Sequence, residues 1–293
     1  MGERAHPEAR TAAPHPVGVG RVLVGIDFRQ RSLVAARWAA AHFRGPVDLE
    51  LMHVVEVPDV PAFLRPLMPA LDDRLATAAV APLEQLRELS DSLDGVPVSF
   101  QVRVGSRVHQ LVQRAHSTSA DLVVLGRDSL QGSRGRTLER LIRHLDVPAL
   151  IVCGNRLAET PRSVLVAVDE APIGRSVAAW GMHMAERFGA EATLLHVLSE
   201  GLLPHITDRA ARLTHEWLAS VAPESRITPH TSVATGVPGS VILDTARATD
   251  ADLIVIGRNG HEAAGPAEIG SAARLLLLAS HVPVLIVPPA RSG

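Results

Sequence analysis

The residues whose types and spacing point most directly to ligand chemistry are Gly257-Arg258-Asn259-Gly260, followed after nine residues by Gly270-Ser271. Glycine tolerates positive φ and lets the backbone approach a ligand closely, so a loop with glycines at both ends can curl around a phosphate. Gly270-Ser271 opens a helical pattern, where unpaired amides and the positive end of the dipole favour an anion and the serine hydroxyl adds a donor. The same residues also read as a glycine-rich surface turn in which Ser271 is only an N-cap.

Other chemistry is poorly provided for. His215-Glu216 and His261-Glu262 begin like zincin motifs, but neither has the second histidine four positions on. No His/Asp/Glu group has metal-ligand spacing, so the 14 histidines read as solvated surface residues. No G-x-S-x-G elbow occurs. All 29 Lys/Arg positions are arginine, which removes a P-loop lysine, a Schiff base and a lysine nucleophile. Cys153 is the single cysteine; it can form neither an internal disulfide nor a zinc cluster, fits a reducing compartment, and reads as inert core.

The elements that must carry the loop emerge from a repeat. VLVGID (22–27) returns as VLVAVD (164–169), DLVVLGR (121–127) as DLIVIGR (252–258), and VPALIV (147–152) as VPVLIV (282–287), all in the same order. Domains are expected at 21–155 and 161–293, joined by a linker at 156–160 and preceded by a disordered tail at 1–20. In the second half the patterning predicts strands at Ser163–Val168, Ala192–Val197, Arg226–Val233, Leu253–Ile256 and Val284–Val287. Helices are predicted at Gly174–Phe188, Thr207–Ser220, Ser240–Ala248 and Ser271–Ala279. Short apolar runs alternating with helices imply right-handed crossovers and a parallel sheet covered on both faces. The fold class is α/β, with two tandem doubly wound, Rossmann-like domains. The first half adds a longer insertion after its second strand, beginning as an irregular loop crowded by Pro58, Pro61, Pro66 and Pro69.

Ligands of such sheets bind beyond the carboxyl ends of the strands, where strand order reverses. That singles out Asp27 and Asp169 after strand one, and the loops at Gly126 and Gly257 after strand four. Asp169 suits ribose hydroxyls, which a carboxylate at a strand end can accept; it also reads as a turn or N-cap residue. The first half reads Gly126-Arg127-Asp128-Ser129, and backward alignment from Pro148 sets Gly135-Arg136 opposite Gly270-Ser271. Its loop is shorter by four residues and lacks a glycine and the terminal hydroxyl. Arg127, Arg134 and Arg136 offer phosphate-binding forks in compensation. The first half is therefore expected to be a structural partner, with nucleotide binding as the alternative.

The chain has 293 residues, 46% of them hydrophobic, and a net charge of −2: ordinary globular material with no electrostatic footprint for nucleic acid or anionic membrane. The first 20 residues contain no apolar export segment, and no apolar run is long enough to span a bilayer, so a cytoplasmic location is expected.

The glycine loop in this βαβ setting resembles the G-x2-G-x9-G-[ST] motif of the universal stress protein family. The likeness extends to VLVAVD, LLHV, DLIVIGRNG and VPVLIV, over roughly residues 21–155 and 161–289. The resemblance implies binding of an adenine nucleotide, usually ATP, with or without magnesium. By position, Asp169 would contact the nucleoside, Ala167 and Val168 would line its pocket, and Val197 would meet the adenine. Gly257, Arg258, Asn259 and Gly260 would wrap the phosphates, closed by Gly270 and Ser271. In the first half, Asp27, Gly126, Arg127, Gly135 and Arg136 take the matching places. Glu170-Ala171 departs from the small polar pair common in the family. The resemblance further implies antiparallel pairing of Val284–Val287 with Ala149–Cys153, making one chain a pseudo-dimer, with a homodimer of chains as a further option. A nucleotide-responsive regulatory module, not an enzyme, is the expected function. The alternatives are a slow ATPase using Glu262 or Glu268 and a nucleotide-free interaction protein.

Overall fold

The computed structural model describes residues 18–57, 71–93, 96–127, 133–153, 159–198, 204–222, 225–260, 265 and 268–289. The first half runs β1 (Arg21–Ile26), α1 (Gln30–His42), β2 (Asp48–Glu56), α2 (Leu71–Asp91), β3 (Val98–Gly105), α3 (Arg107–Ser117), β4 (Leu122–Gly126), α4 (Ser133–His144) and β5 (Ala149–Val152). The second half repeats it as β6 (Ser163–Ala167), α5 (Gly174–Phe188), β7 (Glu191–Leu198), α6 (Pro204–Val221), β8 (His230–Thr235), α7 (Pro238–Ala248), β9 (Leu253–Gly257), α8 (Ser271–Ala279) and β10 (Val284–Val287).

The ten strands of the described residues form one sheet in the order β3-β2-β1-β4-β5-β10-β9-β6-β7-β8. Neighbours within each half are parallel. The halves meet at β5 and β10, which pair antiparallel with Leu285 opposite Leu150. Strand order reverses between β1 and β4 and between β6 and β9, which creates two switch points. The expected α/β doubly wound architecture and the antiparallel junction are both observed.

Side chains alternate across the strands, so the core splits into two layers. Val22, Val24 and Val166 pack with Trp38, Leu86, Val177 and Leu218 under α1, α2, α5 and α6. Leu23, Leu165 and Ile254 pack with Leu111, Ile142, Leu243 and Leu276 under α3, α4, α7 and α8. The β4, β5, β9 and β10 runs are apolar at successive positions because both faces are covered.

Three local expectations need correction. Strand β8 starts at His230 rather than Arg226: Pro229 has no amide to donate, and Arg226 N–H is taken by the Glu186 carboxylate at 2.6 Å. Residues 18–20 do not belong to a free tail, since Val19 is buried and the amides of Gly20 and Arg21 both donate to Asp121 Oδ2 at 2.8 Å. The histidines are not uniformly solvated. His196 is buried, and His42, His53 and His183 are partly buried. The earlier part of the tail, the proline-rich insertion at 58–70, the last two residues of the first domain (154–155) and linker residues 156–158 lie outside the described residues. Among the described residues, no helix is long and apolar enough to cross a membrane, and no group of three or more His, Cys, Asp or Glu could hold a metal ion.

Candidate functional site

At the second switch point, β6 delivers Asp169 beside the loop that follows β9. Asp169 Oδ1 accepts the Ala171 amide at 3.1 Å, a local turn that fixes the carboxylate. Its Oδ2 lies against Gly260: a Cβ there would sit 2.5 Å from it. The Gly270 amide donates to the Arg258 carbonyl at 2.9 Å, which ties the two ends of the loop together. Gly270 is the N-cap of α8 with extended dihedrals (φ −60, ψ 157), and Ser271 is the first helical residue. The N-cap alternative for Ser271 is thereby corrected: no side-chain cap bond forms, and the exposed hydroxyl stands at the loop. Asn259 Nδ2 donates to the Gly265 carbonyl at 3.4 Å, while its buried Oδ1 has no hydrogen-bond partner among the described residues.

Ala167 and Val197 face the α7–α8 layer, the side from which α8 and Ile269 approach. Val168 does not share that face. As the next residue along the strand direction it points into the α1–α5 layer, so only its backbone borders the crevice.

Arg258 is the larger correction. Its guanidinium does not turn toward the loop. Nη1 donates to the carbonyls of Ile142, Arg143 and Leu145 at 3.0, 3.2 and 2.6 Å, at the end of α4 in the other half. The residue is 7% exposed, and burial pulls its pKa downward. Only the Arg258 backbone takes part in the loop.

In the first half, Asp27 Oδ1 accepts the Arg29 amide at 3.1 Å, the same turn as at Asp169. The Asp27 amide donates to Ser32 Oγ at 3.2 Å. Gly126 is hemmed in: a Cβ would lie 2.4 Å from the Arg31 carbonyl carbon and from the Ser32 nitrogen. Arg127, expected as a phosphate fork, instead donates from Nη2 to the Ser280 carbonyl in the second half at 3.1 Å. Gly135 and Arg136 do not occupy the places of Gly270 and Ser271, because α4 begins at Ser133 and Gly135 lies inside its first turn. Residues 128–132 are outside the described residues. A cavity of ≈ 100 Å³ remains, bordered by Asp27, Arg29, Arg107, Arg127, Leu138 and Leu141 among others.

Sequence reasoning missed two residues behind these turns. His196 Nδ1 lies 2.8 Å from the Val168 carbonyl and His53 Nδ1 2.8 Å from that of Ile26. A carbonyl only accepts, so Nδ1 carries the proton in both rings. Each imidazole thus holds the strand end immediately before Asp169 or Asp27. His196 meets Trp217 edge-on at 5.5 Å and His53 meets Phe28 at 4.6 Å. Burial lowers the His53 pKa, with the Ile26 contact opposing. The signal was available, since a histidine recurs at the same place in both second strands. Cys153 is buried, its thiol donating to the Val282 carbonyl at 3.0 Å and its pKa raised by burial.

Comparison with known proteins agrees with this architecture. The model of the universal stress protein family matches twice, over residues 18–152 and 161–288. A universal stress protein of Mycolicibacterium smegmatis is 27% identical over 293 residues, covering 92% of this chain and 97% of its own. Universal stress protein A of Escherichia coli K12 is 29% identical over 138 residues, 43% of this chain and 94% of its own. The crystal structure of a universal stress protein from Archaeoglobus fulgidus DSM 4304 superimposes with a TM-score of 0.69 at 17% identity, over 93% of this chain and 97% of that one. With both halves matched separately and in tandem, the chain belongs to the universal stress protein family.

Proposed function

We propose that the second half binds an adenine nucleotide, ATP foremost, in the crevice between β6 and β9, and that occupancy regulates a surface of the protein. The observation that carries this reading is the contact between Gly260 and Asp169. It brings Gly260 against a carboxylate at a strand end, where the Gly270–Arg258 hydrogen bond joins the two ends of the glycine segment. Asp169 would accept from ribose hydroxyls, and Ala167 and Val197 would border the base. The loop amides with the first amides of α8 would face the phosphates. The orphaned Asn259 Oδ1 supports the same reading, because a buried acceptor without a donor is costly and a ligand hydroxyl would satisfy it. At a concentration of 1,000 times Kd the nucleotide would stabilise the folded chain by about 4 kcal/mol.

The test is calorimetric titration of nucleotide-stripped protein with Mg-ATP. One site per chain, lost in Gly260→Asp, is the expected result. Two sites would assign binding to the first half as well. No heat would overturn the reading in favour of a nucleotide-free interaction protein. Binding without turnover is proposed because the only acidic candidates in the loop are Glu262, outside the described residues, and Glu268, which is exposed. ATP hydrolysis that disappears on replacing both with glutamine would make the protein an ATPase.

A further inference from the structure

In each half, the arginine following strand four keeps its backbone in the sheet and sends its guanidinium into the other half. The Arg127 amide donates to the Val152 carbonyl at 2.9 Å and the Arg258 amide to the Val287 carbonyl at 2.7 Å. The two side chains then cross the junction. Arg258 reaches three carbonyls at the end of α4, and Arg127 reaches Ser280, the C-cap of α8. The last carbonyls of a helix have no intrahelical donor, and that end of the dipole favours a cation. Releasing the buried Arg258 would leave a charge without partners, so loop and helix end should move together.

What the two helices do at their other surfaces gives the contacts a meaning. Helix α4, held by Arg258, borders the first-half cavity with Thr137, Leu138 and Leu141. Helix α8, held by Arg127, begins at Ser271, the far side of the glycine loop. Arg127 itself borders the first-half cavity. The connections close a circuit: glycine loop to α4, α4 to cavity, cavity to α8, and α8 back to the glycine loop.

We propose that Arg258 and Arg127 are reciprocal positioning residues that couple the Gly257–Gly260 turn and the Gly270–Ser271 start of α8 to the first-half cavity, so that ordering one site shifts the other. The loop's ligand rests on the nucleotide reading above; the mechanical connection does not. By linkage, the coupling acts equally in both directions.

Hydrogen exchange of the full chain, with and without Mg-ATP, tests this alongside calorimetry. In the wild type, Mg-ATP should slow exchange in residues 257–260 and 270–274 and also in 138–145, while 98–105 stay unchanged. Arg258→Met should weaken Mg-ATP binding about tenfold, within the usual range of coupling, and abolish the slowing in 138–145. Arg258→Lys, which keeps a cationic donor for the same carbonyls, should recover part of both. Wild-type-like affinity in Arg258→Met, or slowing in 138–145 that persists there, would overturn the proposal. If the wild type gives no heat with Mg-ATP, the nucleotide reading falls and the ligand-free proteins decide the coupling. Arg258→Met must then speed exchange in 257–260 and in 138–141 together, and Arg127→Met must do so in 271–280. Changes confined to the capped turns would overturn the coupling.

Discussion

After its first strand the first half turns directly into α1, with only Phe28 and Arg29 between Asp27 and the helix. The second half has four residues, Glu170 to Ile173, between Asp169 and α5. The short turn requires a positive φ of 60° at Phe28, and it presses the Arg31–Ser32 backbone onto Gly126. The longer turn places the start of α5 against Asp169 instead: a Cβ on Gly174 would lie 2.0 Å from the Asp169 carbonyl oxygen. A Cβ on Gly257 would have more room, its nearest neighbours being Asn259 O at 3.2 Å and two Ile173 side-chain carbons at 3.3 and 3.4 Å. Two residues of turn thus decide whether the end of strand four is closed by a helix or left for a loop.

The largest effect that would break this comparison is at the two equivalent glycines. Gly126→Ala forces a methyl into backbone that cannot yield and should cost about 3 kcal/mol, read as a lower urea midpoint. Gly257→Ala, where the nearest atoms stand at 3.2 Å or beyond and the Ile173 side chain can shift, should cost about 1 kcal/mol. Equal costs would mean that the turns are equally tight. Next come the histidines behind the turns. His196→Leu strands the Val168 carbonyl in a buried setting and should cost about 2 kcal/mol; His53→Leu, closer to solvent, should cost about 1 kcal/mol.

The acid response should be unequal as well. Burial is the leading cause that lowers the pKa of His42, His53 and His183. A folded-state pKa below the unfolded value of 6.5 means that the unfolded chain takes the proton first. Stability is therefore flat above that pH and falls as pH drops below it toward the folded values. His42 and His53 belong to the first half and His183 to the second, so amide protection factors at pH 5.5, corrected for the intrinsic exchange rate, should drop more in the first half than in the second. His42→Gln should reduce that gap. The smallest effect is at Ser271→Ala: without a capping bond to lose, stability should stay within about 0.5 kcal/mol, and the change should appear only in nucleotide affinity.

What the sequence made legible is what local pattern controls. The limits of α5, α8 and β10 follow directly from apolar spacing and from Gly189 and Gly270 at helix ends. Strand β8 was placed too early because alternation at 226–229 outweighed the missing amide of Pro229. At the site, Asp169, Gly260 and Gly270 converge as their spacing suggests. Val168 borders the crevice through its backbone alone, because adjacency in a motif is not adjacency on a strand face. Arg258 was beyond reach: its acceptor Ile142 is 116 positions away, and no local signal tells an arginine aimed at phosphate from one aimed at a helix end. His196 carries such a signal in the repeat, but a single histidine in an apolar strand does not reveal what it holds.

The antiparallel junction of β5 and β10 has an evolutionary consequence. In a symmetric pair of identical chains every substitution appears twice, so a change that spoils one site spoils both. Here the two partners are encoded separately and tethered, so neither dilution nor exchange with other copies can scramble the pairing. A substitution at one switch point is then not automatically repeated at the other. The first half combines a loop four residues shorter and one glycine poorer with an intact contribution of β5 and the end of α4 to its neighbour.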